Sequence, residues 1–144
     1  MDTDQREFLT ARLREAIEKQ PELYHLKHLL LEFGGEFLVA PRKPDADIPS
    51  LLERGFLMYG PIKMQIIKSS SCHQNVSAVW TDRPRRIVGI ATGYALSDDG
   101  LWRQHSWGLL RDAILETTET RLKYFGILLQ GKAADHFAIS NPPK

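Results

Sequence analysis

The chain holds one cysteine, Cys72, among 144 residues. No intrachain disulfide can form, so oxidative cross-linking plays no part in the fold. An excess of charge of one sign is missing as well: 19 basic side chains stand against 18 acidic ones, a formal net charge of +1. That balance leaves no electrostatic footprint for nucleic acid or for an anionic membrane. Arg83, Arg85 and Arg86, set around Pro84, read as a solvated turn rather than a phosphate track. No apolar run approaches the roughly 18 residues that span a bilayer. The charged, polar N-terminus has no apolar segment of signal-peptide type. The expectation is a cytoplasmic protein, and an effector of bacterial type exported without a cleavable signal would have the same sequence character. Internal repeats and low-complexity tracts are absent.

What is present is an ordinary globular composition, with 42% hydrophobic and 26% charged residues, enough chain for one domain over 1–144 with a core that needs no staples. The first 55 residues read as helical. Asp4 and Glu7 have capping-box spacing, and Leu9, Leu13, Ala16 and Ile17 fall on one helical face. Gln20-Pro21 breaks that helix. A second runs to about Phe33, with Leu23, Leu26, Leu30 and Phe33 on its apolar side, and Gly34-Gly35 ends it. Residues 41–49 hold three of the eight prolines and form a surface loop. A short helix is expected around Ser50 to Gly55, then a loop with one short strand between Phe56 and Ile67.

The second half changes character. Strands are expected over 86–97, 101–110, 113–118 and 123–130, with Asp98-Asp99-Gly100 as a turn signal. Short connections between them imply an antiparallel meander. A last short helix, 132–139, precedes a tail over 140–144 that is expected to be mobile. Helices first and an antiparallel sheet second make an α+β domain, with N-terminal helices packed on a β-meander.

Cys72 stands in Ser69-Ser70-Ser71-Cys72-His73-Gln74-Asn75. Ser71 and Gln74 have the spacing of a capping box, which makes Cys72 the first residue of a helix that stops before Pro84. The partial positive charge there favours thiolate over thiol, and the unpaired N–H groups of the first turn can face an oxyanion. A lone cysteine is more often a small buried hydrophobe; the polar neighbourhood argues against that role. His105 follows on a strand whose face also carries Arg103 and Trp107. The next strand carries Glu116. A two-residue turn at Leu110-Arg111 sets His105 opposite Glu116; one at Arg111-Asp112 pairs Trp107 with Glu116 and leaves His105 diagonal. Either register puts imidazole and carboxylate on one face within reach. A carboxylate beside histidine fixes its tautomer and stabilises the imidazolium.

This order, cysteine at a helix start, then histidine on a strand, then an acid on the next, resembles that of the papain-like superfamily. His105-Ser106-Trp107 followed by Ile114-Leu115-Glu116-Thr117 looks like the histidine and aspartate strands of transglutaminase-like domains, over a catalytic core of 69–130. The resemblance implies a papain-like core and a cysteine-dependent amide or acyl-transfer enzyme: a peptidase, a glutamine deamidase or a transglutaminase-like protein. It implies a Cys72–His105–Glu116 triad acting on a protein or peptide substrate, with no cofactor. Glu116 departs from the usual aspartate or asparagine, and Ile66 stands where papain-type enzymes place an oxyanion glutamine. Gln65, Gln74, Asn75 and Trp107 are the remaining candidates for oxyanion or substrate contacts. Zinc on Cys72, His73, His105 and Glu116 lacks the usual close cysteine pair, so no metal is expected. The rival expectation is a non-catalytic binding module with the same fold.

Overall fold

The computed structural model describes residues 1–143, and its elements confirm the α+β class. Helix α1, Thr3–Lys19, opens with a capping box formed by Asp2 and Gln5 rather than by Asp4 and Glu7. It buries Leu13. Helix α2, Leu23–Phe33, places Leu23, Leu26 and Leu30 in the core, where none is exposed. Full burial of such side chains contributes about 2 kcal/mol each. The remaining elements are β1 (Phe37–Leu38), α3 (Ile48–Arg54), β2 (Phe56–Met58), β3 (Ile62–Met64), α4 (Cys72–Thr81), β4 (Gly89–Leu96), β5 (Leu101–Leu109), β6 (Ile114–Glu116), β7 (Lys123–Leu129) and α5 (Gly131–Ser140). The stretch expected to hold one short strand thus supplies two. The expected mobile tail includes Lys144, which lies outside the described residues. Among the described residues no helix is long and apolar enough to cross a membrane.

The sheet corrects the expected meander. Its strand order is β2-β7-β4-β5-β6-β3, with β1 added in parallel to the start of β5. Strands β4, β5 and β6 follow one another as antiparallel neighbours, but β7 returns to lie on the far side of β4. The reason lies in β4. All eight of its residues are buried, and Gly89–Leu96 contains no charge. As a meander's first strand it would carry unpaired, buried backbone groups along one edge; β7 satisfies them.

The helices pack on one face of the sheet. Tyr94, Leu96, Trp102, Phe125 and Ile127 join α1–α3 in one cluster, while Ile90 and Leu115 meet α4 and α5 in another. The opposite face is lined by Met58, Ala91, Ala95, Trp107, Ile114 and Tyr124, which are buried against one another. They come from β2, β4, β5, β6 and β7, so the sheet curls until its own far strands cover that face. Tyr124 of β7 reaches Glu116 of β6 at 2.9 Å although β4 and β5 lie between their strands.

Candidate active site

Strand β5 is paired unevenly along one edge. Its beginning, Leu101–Trp102, holds β1, and its end, Gly108–Leu109, holds β6. Between them the edge from Arg103 to Trp107 has no strand partner on that side. The first turn of α4 fills this opening. His73 Nδ1 hydrogen-bonds Ser106 Oγ and lies 3.9 Å from Cys72 Sγ, and His105 is near enough to Cys72 for each to shift the other's pKa. Asn75 ties the same turn to its surroundings: its Nδ2 donates to Lys68 O at 2.7 Å and to Thr117 O at 3.4 Å. Cys72 is the first residue of α4, with Ser71 at the N-cap. The expected Ser71–Gln74 capping box does not form, because Ser71 makes no side-chain cap. The first-turn N–H groups therefore lack that internal acceptor.

The turn between β5 and β6 is Arg111-Asp112, closed by Leu110 N–H donating to Ala113 O at 2.8 Å. Pairing of Gly108 with Leu115 and Leu109 with Ile114 puts Trp107 opposite Glu116. His105 is diagonal to Glu116, and its Nε2 lies 2.8 Å from Glu116 Oε1. Both side chains are sealed from solvent, at 1% and 0% exposure. The carboxylate is saturated: Tyr124 O–H donates to Oε1 at 2.9 Å, and Thr118 donates to Oε2 through N–H and Oγ1–H, each at 3.0 Å. With Nε2 committed to Glu116, Nδ1 is the imidazole nitrogen left for the thiol.

Electrostatics follow from these contacts. Burial opposes the Cys72 thiolate, yet hydrogen bonds from His105 and then His73 bring the thiol down to a pKa of about 5. Burial also opposes the His105 imidazolium, and Cys72 and Glu116 outweigh it, so its pKa is raised. Glu116 is desolvated too, but the His105 hydrogen bond holds its pKa down at about 2. Together the three groups favour a thiolate–imidazolium pair backed by a carboxylate.

The other candidates divide. Trp107 stacks on His105, with centroids 5.9 Å apart and planes 21° apart. Its indole is fully buried, and Nε1 has no partner among the described residues. Gln65 sits beside β6, its N–H on Glu116 O at 2.8 Å, while its side-chain oxygen accepts from Arg86 at 2.6 Å. Asn75 has both amide protons engaged as described. Gln74 is half-buried and borders a groove of about 80 Å³ together with Ser71, Lys68 and Pro143. Among the described residues no three of His, Cys, Asp and Glu gather as a metal site. Arg83 and Arg85 donate to the last carbonyls of α4, and Arg85 lies 3.6 Å over the Trp80 ring. They finish the helix from an exposed bend around Pro84, which agrees with the expected solvated turn.

Sequence reasoning missed Tyr124, Thr118 and Ser106. Thr118 was within reach of a local pattern, since an acid followed two residues later by threonine is a common side-chain-to-backbone turn. Tyr124 had no local signal, because only the curl of the sheet brings it to Glu116. In comparisons with known proteins, no protein-family model, no curated protein and no solved structure matches the chain.

Proposed function

We propose that this chain is a cysteine-dependent acyl-transfer enzyme with a papain-like arrangement of Cys72, His105 and Glu116. The supporting observation is the opening in β5, where a helix-start cysteine stands near enough to an imidazole to shift its pKa, and the imidazole's Nε2 is held by a saturated, buried carboxylate. The Cys72 thiolate attacks a carbonyl carbon and forms a C–S bond. The oxyanion that results is met by first-turn N–H groups of α4, with Gln74 as the side-chain amide left uncommitted nearby. Protonated His105 gives its Nδ1 proton to the leaving amine as the C–N bond breaks, leaving a thioester. The acceptor then attacks while His105 takes its proton, and the thiolate is released. Water as acceptor gives a peptidase or a glutamine deamidase; an amine gives transamidation. Glu116 holds the ring and balances its charge throughout. The groove beside Gln74 is not lined by Cys72 or His105, so a protein or peptide substrate rests on the resemblance of the residue order rather than on that groove.

The test is acid-quenched mass spectrometry after incubation with glutamine-containing peptides, alongside iodoacetamide labelling as a function of pH. A thioester on Cys72, absent from Cys72→Ala and His105→Ala, is the expected result. A thiol that labels only with an inflection near 8.5, the unperturbed range, and that takes up no acyl group, sinks the proposal and leaves a binding module.

A further inference from the structure

Two consecutive residues of α4 meet two consecutive residues of β5. His73 hydrogen-bonds Ser106, and Cys72, one residue before it, lies near enough to His105 for each to shift the other's pKa. Side chains alternate along a strand, so His105 and Ser106 point to opposite faces of the sheet. The helix start therefore straddles the edge of β5 that no strand pairs and is held there through His73 and Ser106. Ser106 is fully buried, and its hydroxyl donates to Thr92 Oγ1 at 2.9 Å on the neighbouring strand β4. With its proton on Thr92, Ser106 Oγ accepts from His73, which places a proton on His73 Nδ1. The far side of the His73 ring meets Phe137 of α5 edge-on, with centroids 5.7 Å apart.

His73 Nδ1 also lies 3.9 Å from Cys72 Sγ, but this nitrogen is already hydrogen-bonded to Ser106. With its proton directed at a buried hydroxyl this nitrogen is not free to take the thiol's proton, although His73 still helps to lower the Cys72 pKa. We infer that His73 and Ser106 are positioning residues, which lock the start of α4 onto β5 and so hold the Cys72 sulfur within reach of His105. The inference rests on the Cys72–His105 pairing of the proposed function. It adds that this pairing depends on a second, non-reacting contact one residue along. A helix terminus frays readily, and a contact at one point leaves it free to pivot; two contacts on opposite faces of one strand remove that freedom.

The groups that bear on the thiol's titration are His105 and, behind it, Glu116 from the sheet, His73 on its own helix, and Asp47 ahead of α3, which is close enough to His73 to feel its charge. Helix α5 contributes the uncharged Phe137 at this point.

The experiment compares iodoacetamide labelling rate against pH, with thermal melts in parallel, for the wild type, His73→Leu, His73→Asn and Ser106→Ala. Wild type is expected to titrate near 5. His73→Leu fills similar space without a donor and is expected to move the inflection upward, slowing labelling at pH 6 by about tenfold or more. Asparagine places an uncharged N–H close to the position of Nδ1, so His73→Asn is expected to regain most of the rate. Ser106→Ala, which does not touch the sulfur, is expected to shift the profile in the same direction as His73→Leu. A folded His73→Leu protein with a wild-type profile overturns the inference, and so does a folded Ser106→Ala protein with one, because His73→Leu also removes the direct contact of His73 with the sulfur. So does a His73→Asn protein no better than His73→Leu, which would show that His73 acts by its charge. A wild-type inflection near 8.5 overturns both this inference and the proposed function. A shift confined to the variants, with no acyl uptake by wild type, overturns the function alone.

Discussion

His105 and Glu116 hydrogen-bond at 2.8 Å without being cross-strand partners. The residue opposite Glu116 is Trp107, whose indole stacks on the imidazole. The diagonal suits glutamate, because the longer arm spans the extra distance that a residue directly opposite would not need to cover.

Removing the acid is expected to cost more than one hydrogen bond. Glu116→Ala leaves His105 Nε2, the Tyr124 hydroxyl and the Thr118 N–H without their common acceptor inside a sealed site. Breaking a buried pair in this way costs on the order of 3–5 kcal/mol. Urea denaturation measures it. A loss under about 1 kcal/mol would mean that water reaches the site.

Stability is expected to depend on pH in a definite sense. The Glu116 pKa in the fold is about 2, against an ordinary 4.5, so its contribution is complete above 4.5 and fades as pH falls toward 2. The His105 pKa is raised above 6.5, so its contribution is complete below 6.5 and fades as pH rises through the folded value. The pair therefore stabilises most between about 4.5 and 6.5. The Cys72 thiol, at about 5 in the fold against an ordinary 9.0, adds stability that is complete above 9.0 and fades as pH falls through 5, so the window is read from the difference in urea midpoint between wild type and Glu116→Gln from pH 2 to 9, which should be greatest inside it.

The rings of His105 and Trp107 lie over a floor without side chains. Gly93 stands opposite His105 on β4 and pairs with Gly126 on β7. A Cβ at Gly126 would come within 2.8 Å of the Trp107 ring and 2.6 Å of Thr92 O. Gly126→Ala is expected to destabilise by about 1–3 kcal/mol through overpacking. It should also change Trp107 fluorescence as the ring is pushed toward His105. An unchanged melt and spectrum would show that the curled sheet has slack at this point.

Asn75 is expected to matter as a brace. Asn75→Ala strips a donor from Lys68 O and Thr117 O, joining segments before α4 and after β6. Leaving such groups unpaired costs about 1–3 kcal/mol. Hydrogen exchange should rise in the first turn of α4 ahead of the rest of the helix. Uniform exchange along α4 would argue against a brace.

Much of the site was legible locally. The helix beginning at Cys72 follows from polar residues ahead of an apolar helical run, and the Arg111-Asp112 turn was one of two registers that the strand spacing left open. The cap was misread: Ser71 has the right spacing, but its side chain does not turn back onto the helix. The strand order was misread for a different reason. Short connections favour neighbours in sequence, whereas β4 has no polar edge and must be central.

By itself the sequence determined the helices, the positions of most strands, and the side-chain types available for thiol chemistry, because periodicity, caps and turns act over a few residues. Only the tertiary structure decided that β7 lies beside β4, that the sheet curls to bring Tyr124 onto Glu116, and that β5 leaves an opening for α4. Those outcomes depend on which edges and faces must be covered when all elements pack together. That requirement is collective, and no local pattern carries it.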